Sequence, residues 1–131
     1  MQATSSNPNP GPDMATASPN IVPVILQILP SLVTGGVERG AVEVARAITE
    51  AGWQAIVASS GGYMVSEVQR AGGLHIEFPA SSKNPIQMRR NVTRLAALIR
   101  KYNVDIVHAR SRAPAWSAFS AARKTGAAFM T

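Results

Sequence analysis

Beyond residue 20, continuous apolar runs alternate with stretches in which apolar residues recur at helical spacing. Residues 22–29 (VPVILQIL) form an apolar, β-branched-rich run, the pattern of a strand buried on both faces; Pro23 weakens only its first residues. Gly35 and Gly36 then open a helical pattern in which Val37, Ala41, Val44 and Ile48 share one face, and Gly52 stands where that helix would end. Residues 54–59 predict a second buried strand, 64–71 a short helix, and 74–78 a third strand, with glycine pairs at 61–62 and 72–73 between them. Residues 79–85 (PASSKNP) read as a loop, with Pro85 placed to begin a helix along which Met88, Val92, Leu95, Ile99 and Tyr102 repeat. Residues 104–109 predict a fourth strand and 113–125 an Ala-rich helix ended by Gly126. Residues 127–131 open a fifth strand.

This alternation predicts an α/β fold: a Rossmann-like, doubly wound parallel sheet of about five strands, with flanking helices and right-handed crossovers. Ligands on such sheets bind beyond the carboxyl ends of the strands, near the reversal of strand order. That rule selects the loops 30–37, 59–64 and 108–113.

Composition sets the limits. Residues 1–20 hold four prolines and no Lys or Arg, so they are expected to be a disordered tail. They lack the charged start and apolar middle of a secretory signal, and Met14 offers an alternative start to Met1. Residues 21–131 are then one domain. The apolar run 21–29 is far short of the roughly 20 residues a spanning helix needs. With no cysteine there is no disulfide and no thiolate zinc site, and the two histidines, His75 and His108, stand far apart, so no metal is expected.

The loop after the first strand carries Gly35-Gly36-Val37-Glu38. Adjacent glycines let a ligand approach the backbone and leave the helix amides free for a phosphate; the other reading is a plain tight turn. The spacing of Gly35, Gly36 and Gly40 is not the dinucleotide fingerprint, no acidic residue ends the second strand, and no Walker lysine follows. Glu38 reads chiefly as a complement to the helix dipole.

The loop after the fourth strand carries His108, Arg110, Ser111 and Arg112. Alternation puts Ile106 and His108 on one face of that strand and Val107 and Ala109 on the other. His108 reads either as a hydrogen-bonding or titrating group in the cleft or as a structural histidine at the strand end. Two arginines two apart suit an anionic partner, against the alternative of a solvated loop. Trp116, at helical spacing with Phe119 and Arg123, either walls the cleft or belongs to core and rim.

Charge is lopsided. Residues 83–124 contain ten Lys and Arg against Asp105 alone, whereas 1–82 hold three basic residues against six acids. Arg90, Arg94 and Lys101 fall opposite the apolar stripe of the third helix. They form a basic face suited to an anionic membrane or acceptor, or simply a solvated one. The basic run has no interleaved aromatics and no helix-turn-helix pattern, so no nucleic acid partner is expected.

Three segments carry a resemblance: ILQILPSLVTGGVERGAVEVARAITEAGW, ASSGGYMVSEVQRAGG and DIVHARSRAPAWSAFSAARKTGAAFMT. Together, over residues 22–131, they resemble the N-terminal, acceptor-side domain of a GT-B glycosyltransferase of the retaining family-4 type. VDIVHARSRAPAW is similar to relatives that build cell-envelope saccharides such as lipopolysaccharide core. The resemblance implies a cytoplasmic enzyme, peripheral at the inner face of the membrane. Its substrates would be a nucleotide-sugar donor and a saccharide or lipid-linked acceptor. No metal or other cofactor is implied, since amides and basic side chains neutralise the leaving diphosphate. It also implies that Gly35 and Gly36 approach the donor diphosphate, and that His108, Arg110, Ser111 and Arg112 face the acceptor or donor sugar.

Family members carry a second domain that grips the donor and bears paired glutamates in an E-x7-E motif. The sequence is therefore expected to be a fragment truncated before the donor-binding domain, inactive alone, with its catalytic partners beyond Thr131. An exposed cleft face and an unfinished edge strand would favour self-association. The competing reading is a non-enzymatic Rossmann-like module that binds a phosphorylated ligand or an anionic membrane. A magnesium-dependent receiver is disfavoured, because the first strand lacks a terminal acidic cluster.

Overall fold

A computed structural model of the chain describes residues 22–33, 35–80 and 84–131. The tail expected over 1–20, Ile21, and Lys83 of the basic segment lie outside the described residues. The elements alternate without exception: β1 (Val24–Ile28), α1 (Gly36–Glu50), β2 (Gln54–Ser59), α2 (Val65–Arg70), β3 (Leu74–Glu77), α3 (Pro85–Tyr102), β4 (Ile106–Ala109), α4 (Arg112–Thr125) and β5 (Ala128–Met130). All five strands are parallel, in the order β3-β2-β1-β4-β5. The chain winds outward from β1 to β3, returns to place β4 beside β1, and winds outward again to β5. The expected doubly wound, Rossmann-like α/β fold is thus present, with its switch point between β1 and β4.

The period of two in the strands sorts their side chains into two layers. Val24, Leu26, Ile28, Ile56, Ala58 and Val107 pack with Val92, Leu95, Ile99, Ala118 and Ala121 of α3 and α4. On the other face Leu29, Ala55 and Val57 pack with Ala41, Val42, Ala45 and Ile48 of α1 and with Val68 of α2. His108 shares the α1/α2 face with Gln27, its register partner, while Val107 is buried on the other, as alternation in β4 predicts.

Two details differ from the pattern-based expectation. Val37 belongs to the apolar stripe of α1 yet is exposed, at the second residue of the helix, ahead of the buried Ala41, Val42, Ala45 and Ile48. Val104 is buried but β4 begins only at Ile106. The reason is the closure of α3. Asn103 takes the left-handed conformation (φ 52°), its N–H reaches the Arg100 carbonyl, and the Val104 N–H donates to the Ile99 carbonyl at 2.9 Å. Asp105 then ties three segments together. Its Oδ2 accepts from Val24 N (2.8 Å), its N–H donates to the Val24 carbonyl (2.8 Å), and its carbonyl accepts from Ala128 N (2.9 Å).

Candidate functional site

Beyond the carboxyl ends of β1 and β4, where the strand order reverses, lies the crevice that this topology defines. The segments after β1 and β2 are knit into its floor. Leu32 N donates to the Gly61 carbonyl (2.8 Å), Met64 N to the Leu32 carbonyl (2.9 Å), and Ser60 N to the Pro30 carbonyl (2.9 Å). Gly62, at φ +142°, backs onto the Leu32 carbonyl so closely that a Cβ there would collide with it. The segment after β4 joins through Arg110 N, which donates to the Ile28 carbonyl at 2.9 Å.

The Gly35-Gly36 loop enters α1 at the rim of this crevice. Gly35 needs its φ of +136°, and as N-cap it supplies no side-chain bond to the helix amides. A Cβ on Gly36 would meet nothing within 4 Å, so that side of the rim is open. Glu38 curls back over the helix start, its Oε1 lying 2.7 Å from the position a Gly35 Cβ would take. This fits its expected role as dipole complement. An anion arriving at the helix end must therefore displace or skirt that carboxylate.

Arg110 and Arg112, neighbours in the sequence, have separate surroundings. Arg112 is exposed in the first turn of α4. Arg110 is half-buried and turns toward α1. Its Nη1 donates to Gln27 Oε1 (3.1 Å), and its Nη2 lies 2.7 Å from where a Gly40 Cβ would stand. The Arg110 Nε and Ser111 Oγ are buried without a hydrogen-bond partner. Ser111 is the N-cap of α4, yet its hydroxyl makes no capping bond. His108 is half-buried two residues before Arg110. Burial, and then the Arg110 charge, hold its imidazole below the ordinary value of 6.5.

Three polar groups escaped the reading of the sequence. Gln27 is fully buried in the middle strand, and its Nε2 donates to the Ala41 carbonyl at 3.1 Å. The one signal for it was a lone polar residue inside an apolar run. Ser59, fully buried, has its Oγ 2.8 Å from His75 Nε2 and accepts from Gly61 N at 3.0 Å. That arrangement leaves the hydroxyl proton for a neutral imidazole, and burial lowers the His75 pKa despite the opposing Glu77 charge. Asn91, on α3, donates to the Pro79 carbonyl at 2.9 Å and accepts from Gln87 Nε2 at 3.0 Å.

The basic face sits elsewhere. Arg90, Arg94 and Lys101 are exposed on α3, which packs on the side of the sheet away from Arg110. Arg94 lies over the Phe78 ring and Lys101 over the Tyr102 ring, each 5.4 Å from the centroid. Trp116, 49% exposed, lines a groove of ≈ 310 Å³ with Pro85, Met88 and Arg89, between the first turns of α3 and α4. Phe119 meets Phe129 edge-on at 5.4 Å and carries Arg123 over its ring, so these two belong to the rim of the core. Among the described residues no three His, Cys, Asp or Glu side chains gather as a metal site would require. No helix among them is long and apolar enough to cross a membrane.

Parallel sheet, switch-point crevice and half-buried cation define a class: a Rossmann-like α/β domain built to receive a ligand at the carboxyl end of its strands. Comparison with known proteins narrows that class. The sequence profile of Glycosyltransferase Family 4 matches residues 34–131. The chain is similar in structure to a glycosyltransferase from Rickettsia africae ESF-5, at 48% identity and a TM-score of 0.75, covering 84% of this chain and 29% of that one. It is also similar to the C-terminal domain of the PF1911 hydrogenase from Pyrococcus furiosus, at 21% identity and a TM-score of 0.64, over 92% of this chain and 98% of that domain. At that identity the likeness reports the fold alone. No curated protein gives a significant match. The chain belongs to glycosyltransferase family 4, as its three motif segments suggested, and it spans 29% of the length of the rickettsial glycosyltransferase.

Proposed function

We propose that the chain forms the acceptor-side, N-terminal part of a retaining glycosyltransferase. The enzyme would move a sugar from a nucleotide-sugar donor to a cell-envelope saccharide or lipid-linked acceptor, at the cytoplasmic side of the membrane. Family membership supports the reaction class. The observation that carries the reading to residues is the crevice itself: a half-buried guanidinium, Arg110, stands beside His108 at the switch point, with the open Gly36 rim opposite. A leaving diphosphate carries charge that such a cation stabilises most strongly where water is excluded. In this reading Arg110 and, once Glu38 is displaced, the first amides of α1 receive negative charge. His108, held neutral, hydrogen-bonds a sugar hydroxyl. Ser111 offers its unpartnered hydroxyl to the same ligand, and Arg112 reaches it from the rim. No metal is required, because fixed cations and amides supply the neutralisation.

A second domain would close the cleft and hold the donor, which fits the share of the rickettsial relative that the chain spans. We expect the 131-residue chain alone to transfer no sugar. The test is a nucleotide-sugar screen of the chain alone and of the chain joined to the donor domain of its 48%-identical relative. Transfer only by the joined protein supports the reading; transfer by the isolated chain overturns the division of labour.

The exposed Arg90, Arg94 and Lys101 on α3 support a second element of the reading, peripheral contact with anionic lipid. Binding to vesicles should require anionic lipid and should weaken in the triple glutamine variant. Equal binding to neutral and anionic vesicles would exclude it.

A further inference from the structure

Gln27 occupies a position where an aliphatic side chain would be expected. It is the central residue of a row that crosses all five strands through register partners: His75, Val57, Gln27, His108 and Met130. It is fully buried beneath α1, and an amide placed there costs stability unless every polar atom is bonded. Both ends are bonded, and they bond to different things. Nε2 donates to the Ala41 carbonyl of α1, which fixes the amide's orientation, and Oε1 is thereby aimed at Arg110 Nη1.

Gly40 completes the arrangement from the helix side. It lies inside α1, where glycine disfavours the helix and no positive φ calls for it. A Cβ at 40 would come within 2.7 Å of Arg110 Nη2. The absence of that methyl group leaves room for Arg110 Nη2 beside Gly40 of α1. Arg110 is therefore held from below by an amide oxygen and from the side by a bare helix backbone. Neither holder is charged. Among the described residues no carboxylate forms an ion pair with Arg110. Its Nε–H is buried and unpartnered.

An arginine that merely braced the fold would gain more from a carboxylate than from a neutral amide. A neutral holder fixes direction while leaving the positive charge unspent. We propose that Gln27 and Gly40 are positioning residues: they set the Arg110 guanidinium in the crevice with its charge free for an anionic group of the substrate. The proposal rests on the reading of the crevice as the site of a diphosphate-bearing ligand.

The test uses inorganic pyrophosphate as probe and the full 131-residue chain, with binding followed through the backbone amide resonances of α1 and of the segment after β4, which every variant retains, and thermal midpoint measured for every variant. Wild type should show a saturable shift that Arg110→Gln abolishes. Gln27→Glu supplies a carboxylate to Arg110 but sets an oxygen against the Ala41 carbonyl where Nε2 donated, so it should lower the thermal midpoint and weaken pyrophosphate binding about tenfold or more in the folded protein. Gly40→Ala pushes only the far end of a flexible side chain and favours the helix. It should weaken binding severalfold with no loss of thermal stability. Wild-type affinity in both folded variants, with Arg110→Gln still impaired, overturns the positioning role and leaves the anion reading intact. No saturable shift in wild type, or full affinity in Arg110→Gln, overturns the anion reading and the proposal with it. Because Gly40→Ala displaces the Arg110 guanidinium alone and leaves Gln27 bonded to Ala41, it decides the matter where Gln27→Glu fails to fold.

Discussion

The two faces of the sheet are built from the same five strands and differ in what they bury. Toward α3 and α4 the strands present Val24, Leu26, Ile28, Ile56, Ala58 and Val107, all aliphatic. Toward α1 and α2 the same strands present Gln27, Ser59, His75 and His108 among their apolar residues, each half-buried or fully buried. Both faces bury an apolar core; the second also spends part of its interior on polar groups that hold Arg110 and the crevice loops in place. Such groups contribute little net stability even when bonded, and they are costly when unbonded. The α1/α2 face thus differs from the other in carrying buried polar groups beside its apolar core, on the side of the sheet where the proposed site lies.

The largest effect should come from the apolar face. Leu95 is fully buried at the centre of the α3 stripe, against the strands. Leu95→Ala should cost about 2–5 kcal/mol in urea unfolding, since the cavity it leaves can collapse only in part. Pyrophosphate affinity of the folded fraction should be unchanged. A loss below about 1 kcal/mol would mean that the α3/α4 face contributes little to stability.

Next in size is a substitution at the crevice floor. Gly62→Ala must resolve a clash with the Leu32 carbonyl at a backbone φ of +142°, and backbone cannot yield as a side-chain tip does. A loss of about 1–3 kcal/mol is expected. Unlike Leu95→Ala, it should also disturb ligand binding, because the loops after β1 and β2 are bonded to each other there. Unchanged stability and unchanged binding together would show that these loops are not coupled.

What could be read in advance follows the same division. The apolar face was legible because its signals are local and periodic. Period two in the strands, the Met88–Tyr102 stripe of α3 and the glycine stops gave every element and the parallel fold. Where bounds moved, a local backbone event moved them, as when Asn103 delayed β4 by two residues. The polar face was legible in position only. The loops after β1, β2 and β4 were picked out in advance and do converge, with His108 and Arg110 beside them. The aim of Arg110, however, depends on Gln27, 83 residues away, and Ser59 meets His75 across two strands. No periodicity in a single sequence reports such pairings.

Acid should separate the faces further, with a smaller effect. Burial pushes both His75 and His108 below 6.5; Glu77 opposes the shift at His75, and Arg110 adds to it at His108. A folded-state pKa below the unfolded one means that the unfolded chain takes up its proton first. The stability at stake is whole above about pH 6.5 and is lost as pH falls through the lowered folded values. The urea midpoint should drop between about pH 7.5 and 5.5, and the drop should shrink in a His75→Gln, His108→Gln double variant. An equal drop in that variant would place the acid sensitivity elsewhere. Leu95→Ala should lower stability at both pH values without changing the difference between them.

The smallest effect is expected at the best-formed ion pair. Arg39 Nη1 donates to Glu67 Oε1 at 2.7 Å and links α1 to α2 on the outside of the polar face. The pairing raises the Arg39 pKa and lowers that of Glu67. Both groups face solvent, however, where water and salt screen the attraction and two long side chains must be ordered to hold it. Arg39→Ala should therefore leave the urea midpoint unmoved at moderate salt, even though it breaks a shorter contact than the one Arg110 makes with Gln27. A fall as large as that of Gly62→Ala would mean that α1 and α2 are clamped at the surface rather than by Ala45, Ile48 and Val68 beneath.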